Sequence, residues 1–217
     1  MKQATIFYAT RSVFKKEELS IISAATEFKH ADGRMMKIGE LIDFRLSQVP
    51  TDEPLEIDLE AMVRHKARSA YQRLLAPCIV EHAGIVLDAH LDAGYPGGLT
   101  QPMWDALTPE EFLTRTGSRG EGAIARAVIG YCDGMSIRTF SGETHGTIAN
   151  EARGSRSFYW DVVFCPDGQG GRTYAEIAEE KDGGLAAKLL ISQSAKAISS
   201  FASFLSSQTS EGLFDLG

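Results

Sequence analysis

Glu151-Ala152-Arg153-Gly154-Ser155-Arg156-Ser157-Phe158-Tyr159-Trp160-Asp161-Val162-Val163-Phe164-Cys165-Pro166-Asp167-Gly168 is the most informative segment of the chain. A turn-rich approach carrying Arg153 and Gly154 leads to aromatic residues beside a carboxylate, then to an apolar run that stops at Pro-Asp-Gly. This pattern predicts a loop that delivers side chains to a strand. On an extended backbone Phe158 and Trp160 share one face, with Asp161 on the other face or on the turn into the strand. A flat aromatic beside a carboxylate suits a base and a sugar hydroxyl. The pattern fits equally a core strand with Phe158, Trp160, Val162 and Phe164 facing inward.

Arg-Gly, a short spacer, Phe158-Tyr159-Trp160-Asp161, an apolar run and Phe164-Cys165-Pro166-Asp167-Gly168 together resemble the nucleotide-binding segment of the inosine triphosphate pyrophosphatase (ITPase) family, also called the Ham1 family. Thr173-Tyr174-Ala175-Glu176-Ile177 and Glu179-Glu180-Lys181 follow in the family's order and spacing, and the likeness runs from Thr10 to the last helix. The resemblance implies an α/β fold: a long mixed, twisted sheet with flanking helices, and two lobes around a nucleotide cleft. It implies a Mg²⁺-dependent enzyme, usually a homodimer, that hydrolyses ITP, dITP or XTP to the monophosphate and pyrophosphate. Residues 1–205 are expected to form a single ITPase-like domain and the Ser-rich 206–217 a C-terminal tail.

Composition agrees with a soluble globular chain. The 217 residues are 43% hydrophobic and 24% charged, enough for a sizeable core. A net charge of -7 argues against gripping long nucleic acid, which needs a basic face. No signal-peptide pattern opens the chain and no run approaches a membrane span, so the expected location is the cytoplasm. Cys78, Cys132 and Cys165 lack C-x-x-C spacing and read as buried free thiols.

Residues Ala4 to Ala9 read as a buried strand turning through Thr10-Arg11-Ser12-Val13-Phe14-Lys15 into a helix. Free amides at a helix N-terminus can hold an anion, with Lys15 neutralising a phosphate; Thr10 or Ser12 can equally be an ordinary N-cap. The family has Thr-Gly-Asn-x-x-Lys here and uses it to grip the triphosphate. Thr10 and Lys15 match, whereas Arg11 and Ser12 depart. A helix is predicted from about Asp58, its cap, with Leu59, Met62, Val63, Ala67, Ala70 and Leu74 in one stripe. Lys66, near that seam, is either an exposed lysine or, by the resemblance, a phosphate contact. Glu53 or Glu56 falls where the family has a metal-binding carboxylate.

A strand from Pro77 to Val80 is predicted to end in Glu81-His82-Ala83-Gly84-Ile85. The family has two adjacent acids there, the second holding Mg²⁺ and helping to activate water. Glu81 matches the first as a metal ligand. His82 replaces the second, as a substitute base or as a strand-closing residue; imidazole is a poor Mg²⁺ ligand. Ala123 to Cys132 and Ser136 to Phe140 read as a hairpin through Asp133-Gly134, followed by a polar turn containing His145. After Lys181, which matches the family's lysine near the purine, the family places Ser-His-Arg at the head of the last helix, where Leu185-Ala186-Ala187 stand in this chain.

Of the ligand cradle (Thr10, Ser12, Lys15, Lys66, Phe158, Tyr159, Trp160, Asp161, Lys181) all but Ser12 is thus retained, while groups for phosphate positioning, metal, water activation and base reading change. Three functions follow. A degenerate ITPase-like protein would hold a deaminated purine nucleoside triphosphate such as dITP and pass its occupancy to a partner. By analogy with bacterial anti-phage systems, that partner would be an effector such as a Sir2-like NADase. Alternatively, the chain is an active pyrophosphatase using His82, or a scaffold with a vestigial pocket.

Overall fold

The computed structural model describes residues 3–12 and 14–210. The side chains of residues 156–158, 209 and 210 lie outside the described residues, so the expectation for the Phe158 ring falls there too. The elements in order are β1 (Ala4–Ala9), α1 (Lys15–Ala25), β2 (Glu27–Lys29), β3 (Met35–Lys37), α2 (Ile38–Leu41), β4 (Ile42–Ser47), α3 (Leu59–Leu74) and β5 (Cys78–Leu87). Two 3-10 segments, Asp88–Ala93 and Gly97–Leu99, then lead to α4 (Thr100–Ala106), α5 (Pro109–Thr116), β6 (Gly122–Cys132) and β7 (Ile137–Ile148). A 3-10 segment over Arg156–Val162 precedes β8 (Phe164–Pro166), α6 (Tyr174–Ala178), α7 (Gly184–Ile191) and α8 (Gln193–Ser210).

Six strands form one mixed sheet in the order β4-β1-β5-β6-β7-β8, and β2 with β3 makes a separate hairpin. β1 runs parallel to β4 and β5, while β5 through β8 are antiparallel neighbours. Helices cover both faces. Ile198, Phe201 and Leu205 of α8 pack with Leu19 and Ile22 of α1 and with Ile129 and Tyr131 of β6. Leu59, Val63, Ala67 and Ala70 of α3 pack with Val80 and Val128 on the other face. A further cluster joins Leu113, Trp160, Phe164, Tyr174 and Ile177 around the β7–β8 end.

Several expected elements are reproduced for the expected reasons. Asp58 Oδ1 accepts a hydrogen bond from Glu60 N at 2.8 Å and caps α3. The β6–β7 hairpin turns at Asp133-Gly134, where Asp133 Oδ1 accepts from the amides of Met135 and Ser136. The three cysteines are free and buried.

Other expectations need correction. Strand β5 does not end at Val80; it pairs with β6 from Cys78 to Leu87, so Glu81 and His82 lie within it. His145 lies in β7 opposite Ile124, not in a turn, because β6 pairs along its whole length and carries β7 with it. Residues Arg156 to Val162 form a 3-10 turn, not a strand, with Tyr159 in the left-handed region at φ 54°. Phe158 and Trp160 therefore do not alternate across a pleat. The last long helix begins at Gln193, after α7 breaks at an extended Ser192. It also continues through the expected tail boundary, with Ser206 buried and its Oγ accepting from Ala31 N at 3.1 Å.

Candidate functional site

A cleft of about 560 Å³ opens where the sheet splays. β1 pairs with β5 only through Phe7↔Cys78 and Tyr8↔Ile79, then leaves it at Ala9. β5 carries on paired only with β6, so Glu81, His82 and Ala83 face the gap beyond the carboxyl end of β1, the usual place for a ligand in an α/β sheet. The loop after β1 brings Thr10, Arg11, Ser12 and Phe14; α1 brings Lys15 and Glu18; the segment before α3 brings Thr51 and Glu53. Lys66 projects from α3, Tyr159, Trp160 and Asp161 from the 3-10 turn, and Lys188, Gln193 and Ser194 from the α7–α8 junction.

Glu81 is the buried centre of this arrangement. Its Oε1 accepts from Ser194 Oγ at 2.6 Å and from Lys15 Nζ at 3.2 Å, and its Oε2 accepts from the Tyr8 hydroxyl. Burial alone would raise its pKa, but Lys15 and the bonds from Ser194 and Tyr8 outweigh it and hold the carboxyl below its ordinary value. Burial pushes Tyr8 well up, and the neighbouring Glu81 carboxylate adds to the shift. Burial works to lower Lys15, yet Glu81, Tyr8 and Glu18 raise it well above its ordinary value, with Glu18 Oε2 at 2.9 Å. Neither Thr10 nor Ser12 caps α1; Thr10 Oγ1 instead accepts from Ser12 N at 3.2 Å within the loop.

His82 is partly buried, with Nε2 at 3.3 Å from the Gly98 carbonyl and Nδ1 at 4.0 Å from Glu53. Burial and then the Lys66 ammonium push its pKa down, so the imidazole is neutral at neutral pH. Lys66 Nζ donates to the Glu81 carbonyl at 3.1 Å and pairs with Glu53 Oε1 at 2.9 Å. Burial raises the Glu53 carboxyl, but Lys66 more than offsets it and leaves the pKa lowered. Glu53 thus lines the cleft, whereas Glu56 does not.

Asp161 is buried and pairs with Lys188 at 2.7 Å, and Lys188 Nζ lies 5.3 Å above the Tyr174 ring. Burial raises the Asp161 carboxyl despite the lysine. Trp160 is buried with its ring edge-on to Phe164. Gln193 is held by the Tyr174 hydroxyl, which donates to its Oε1 at 3.2 Å.

The structure therefore gathers Thr10, Ser12, Lys15, Glu53, Lys66, Glu81, His82, Tyr159, Trp160 and Asp161 around one cleft. It does not bring Lys181 there. Lys181 is exposed before α7, and Lys188, one helix later, occupies the position beside Asp161. Likewise the residues at the head of the last helix are Ser192, Gln193 and Ser194, not Leu185-Ala186-Ala187. Gly183 at φ 81° opens α7, the helix that separates Lys181 from Lys188 and the α8 head. The Asp182-Gly183-Gly184 turn after Lys181 was the available sequence signal for that separation.

Mg²⁺ is the metal the resemblance implies, and the donor set does not fit it as a resident ion. Both Glu81 oxygens are engaged, Lys15 stands at one of them, Glu53 is paired with Lys66, and His82 presents nitrogen where a hard cation needs oxygen. Among the described residues no group of three or more His, Cys, Asp or Glu is arranged to hold a metal.

The class of protein is a mixed α/β sheet that splays over a cleft lined by paired lysines and carboxylates. The chain belongs to the Ham1 family, whose profile matches residues 6–204. It is 32% identical over 165 residues to the dITP/XTP pyrophosphatase of Methanopyrus kandleri, covering 75% of this chain and 80% of that protein. It is 31% identical over 190 residues to the inosine triphosphate pyrophosphatase of Scheffersomyces stipitis, covering 82% and 88% respectively. The fold superimposes on a HAM1 protein from Coxiella burnetii with a TM-score of 0.69 at 20% identity, over 94% of this chain and all of that one. The Staphylococcus aureus Ham1 protein gives 0.66 at 20% identity over the same shares. Among the described residues no helix is long and apolar enough to cross a membrane.

Proposed function

We propose that the cleft binds a purine nucleoside triphosphate, with deaminated forms such as dITP as the preferred class, and holds it with turnover far below that of a working pyrophosphatase. The relatives named as dITP/XTP pyrophosphatases support the ligand class. Lys15, Lys66 and Lys188 supply cations to a triphosphate once drawn from their carboxylate partners, and Trp160 and Asp161 line the same cleft, where a base and a sugar hydroxyl would sit. The observation that carries the weak-turnover reading is the commitment of Glu81. A carboxylate that takes bonds from Ser194, Lys15 and Tyr8 at once is a structural anion, not a free ligand or base. His82, beside it, is neutral and held near the Gly98 carbonyl.

On this reading Mg²⁺ enters bound to the nucleotide. The chain is a sensor, a cytoplasmic homodimer built from one ITPase-like domain, and its occupancy regulates an effector such as a Sir2-like NADase in anti-phage defence. A second reading, hydrolysis to the monophosphate and pyrophosphate, is favoured by the names of the relatives. Calorimetric titration with dITP, ITP, dATP and dGTP in Mg²⁺, with pyrophosphate release followed on the same samples, separates the two. Tight binding with background release supports the sensor. Rapid release that His82→Ala abolishes establishes the enzyme, and no binding to any triphosphate removes both.

A further inference from the structure

Tyr159 has φ 54°, is 44% exposed, and lines the cleft. The left-handed region suits glycine and asparagine; a bulky aromatic there is an outlier. Such a conformation persists only where its surroundings impose it. Here they do. On the following side Trp160 is buried against Phe164, Val163 N donates to Trp160 O at 3.0 Å, and Asp161 is pinned by Lys188. The amide of Arg153 donates to Val162 O at 2.9 Å and ties the turn to the chain before it.

Among the described residues nothing offsets the strain through Tyr159 itself. The ring is outside the core, and among the described residues its hydroxyl has no hydrogen-bond partner. Glycine would adopt this backbone freely and leave every anchor in place. What the strained residue adds over glycine is therefore one aromatic ring at the mouth of the cleft, beside Trp160 and Asp161.

We propose that Tyr159 is the gate of the cleft, its ring closing over the bound nucleotide and setting the rate of release. The inference deepens the nucleotide-binding reading above and rests on it. A ring laid over a ligand adds stacking surface and excludes water, and among variants of one site such contacts act mainly on dissociation. Among the described residues the hydroxyl has no partner to lose, so phenylalanine serves as well as tyrosine.

The test is the dissociation rate of dITP–Mg²⁺ from wild type, Tyr159→Gly and Tyr159→Phe, by stopped-flow tryptophan fluorescence, with urea unfolding of each ligand-free protein. The expected result is release about tenfold faster from Tyr159→Gly and within about twofold of wild type for Tyr159→Phe, a loss of the size one stacked ring gives. Ligand-free Tyr159→Gly should be no less stable than wild type. Unchanged release from Tyr159→Gly overturns the gate, as does faster release accompanied by a destabilised ligand-free protein, which marks a structural role. If wild type binds no triphosphate, the nucleotide reading fails and takes the gate with it; binding with unaltered release sinks the gate alone.

Discussion

Lys15 Nζ stands 3.2 Å from Oε1 of Glu81, a carboxylate with 4% side-chain exposure that Ser194 and Tyr8 also engage. A phosphate that recruits Lys15 must draw it from this pairing, while Ser194 and Tyr8 keep Glu81 supported. Lys15→Ala removes the cation and leaves a buried carboxylate with two neutral donors. Because Lys15 is itself partly exposed, the cost should be nearer 1–3 kcal/mol, the scale of hydrogen bonds to charged groups, than that of breaking a fully buried pair, about 3–5 kcal/mol. Urea unfolding measures it, and an unchanged midpoint would show that Ser194 and Tyr8 alone support Glu81. The same variant should bind triphosphate more weakly.

The pH dependence of this network has a definite sign. The Glu81 carboxyl is held below its ordinary value in the folded chain. Its contribution to stability is therefore fully present above the unfolded glutamate value of about 4.3 and is lost as pH falls through the lower folded value. The stability difference between wild type and Glu81→Gln should shrink between about pH 6 and about pH 3. Denaturant titrations at both ends of that window test the claim, and a constant difference would contradict it.

Much of this was legible in the sequence, and the failures share a cause. Strand β1, the Asp58 cap with the α3 stripe, and the Asp133-Gly134 hairpin follow from periodicity and turn chemistry, which are local. Thr10, Lys15, Lys66, Glu81, His82 and Asp161, the candidates drawn from the family pattern, line one cleft because β1 splays from β5. The Arg156–Val162 turn was missed because its geometry rests on Tyr159 taking a backbone region that no pattern of apolar residues signals. Lys188, Gln193 and Ser194 were missed because α7 and α8 read as one continuous apolar stripe, and their break at Ser192 carries neither Gly nor Pro. Tyr8 was hidden differently. As a strand residue it looks like core, and only its hydroxyl on Glu81 places it beneath the site.

The charge of the cleft predicts how the ligand must arrive. Its lining carries Arg11, Lys15, Lys66 and Lys188 against Glu18, Glu53, Glu81, Asp105 and Asp161, one carboxylate more than it has cations. A free triphosphate would add several negative charges to that set, whereas the Mg²⁺ complex adds fewer. Affinity for dITP should fall about tenfold or more when EDTA replaces Mg²⁺, equivalent to about 1.4 kcal/mol or more. Calorimetry with and without chelator decides the point; equal affinities would mean that the lysines suffice on their own.

His82→Asp places a carboxylate beside Glu53, whose Oε2 lies 4.0 Å from His82 Nδ1. Lys66, already paired with Glu53, is then shared between two acids that repel, so the variant should be less stable than wild type in EDTA and recover stability as Mg²⁺ is added. A hard oxygen pair is the ligand type that Mg²⁺ takes, and imidazole is not. Thermal melts over a Mg²⁺ series read this without reference to any activity. Parallel curves for wild type and His82→Asp would show that the residue at this position does not govern metal binding.

Gly142 ties the head of α8 to the sheet. A Cβ there would lie 2.2 Å from Gln193 O and 2.4 Å from Ala197 N, both backbone atoms that cannot rotate aside. Gly142→Ala must therefore lift the first turn of α8 off β7, and Gln193 and Ser194 go with it. Two effects should appear together. Overpacking at this contact should destabilise the fold by about 1–3 kcal/mol. Glu81 should lose the hydroxyl of Ser194, whose Oγ sits 2.6 Å from it, so the acid-side loss of stability should begin at higher pH than in wild type. Urea titrations across the acid range detect both, and a variant that is destabilised without that shift would mean that the helix yields elsewhere and keeps its head in the cleft.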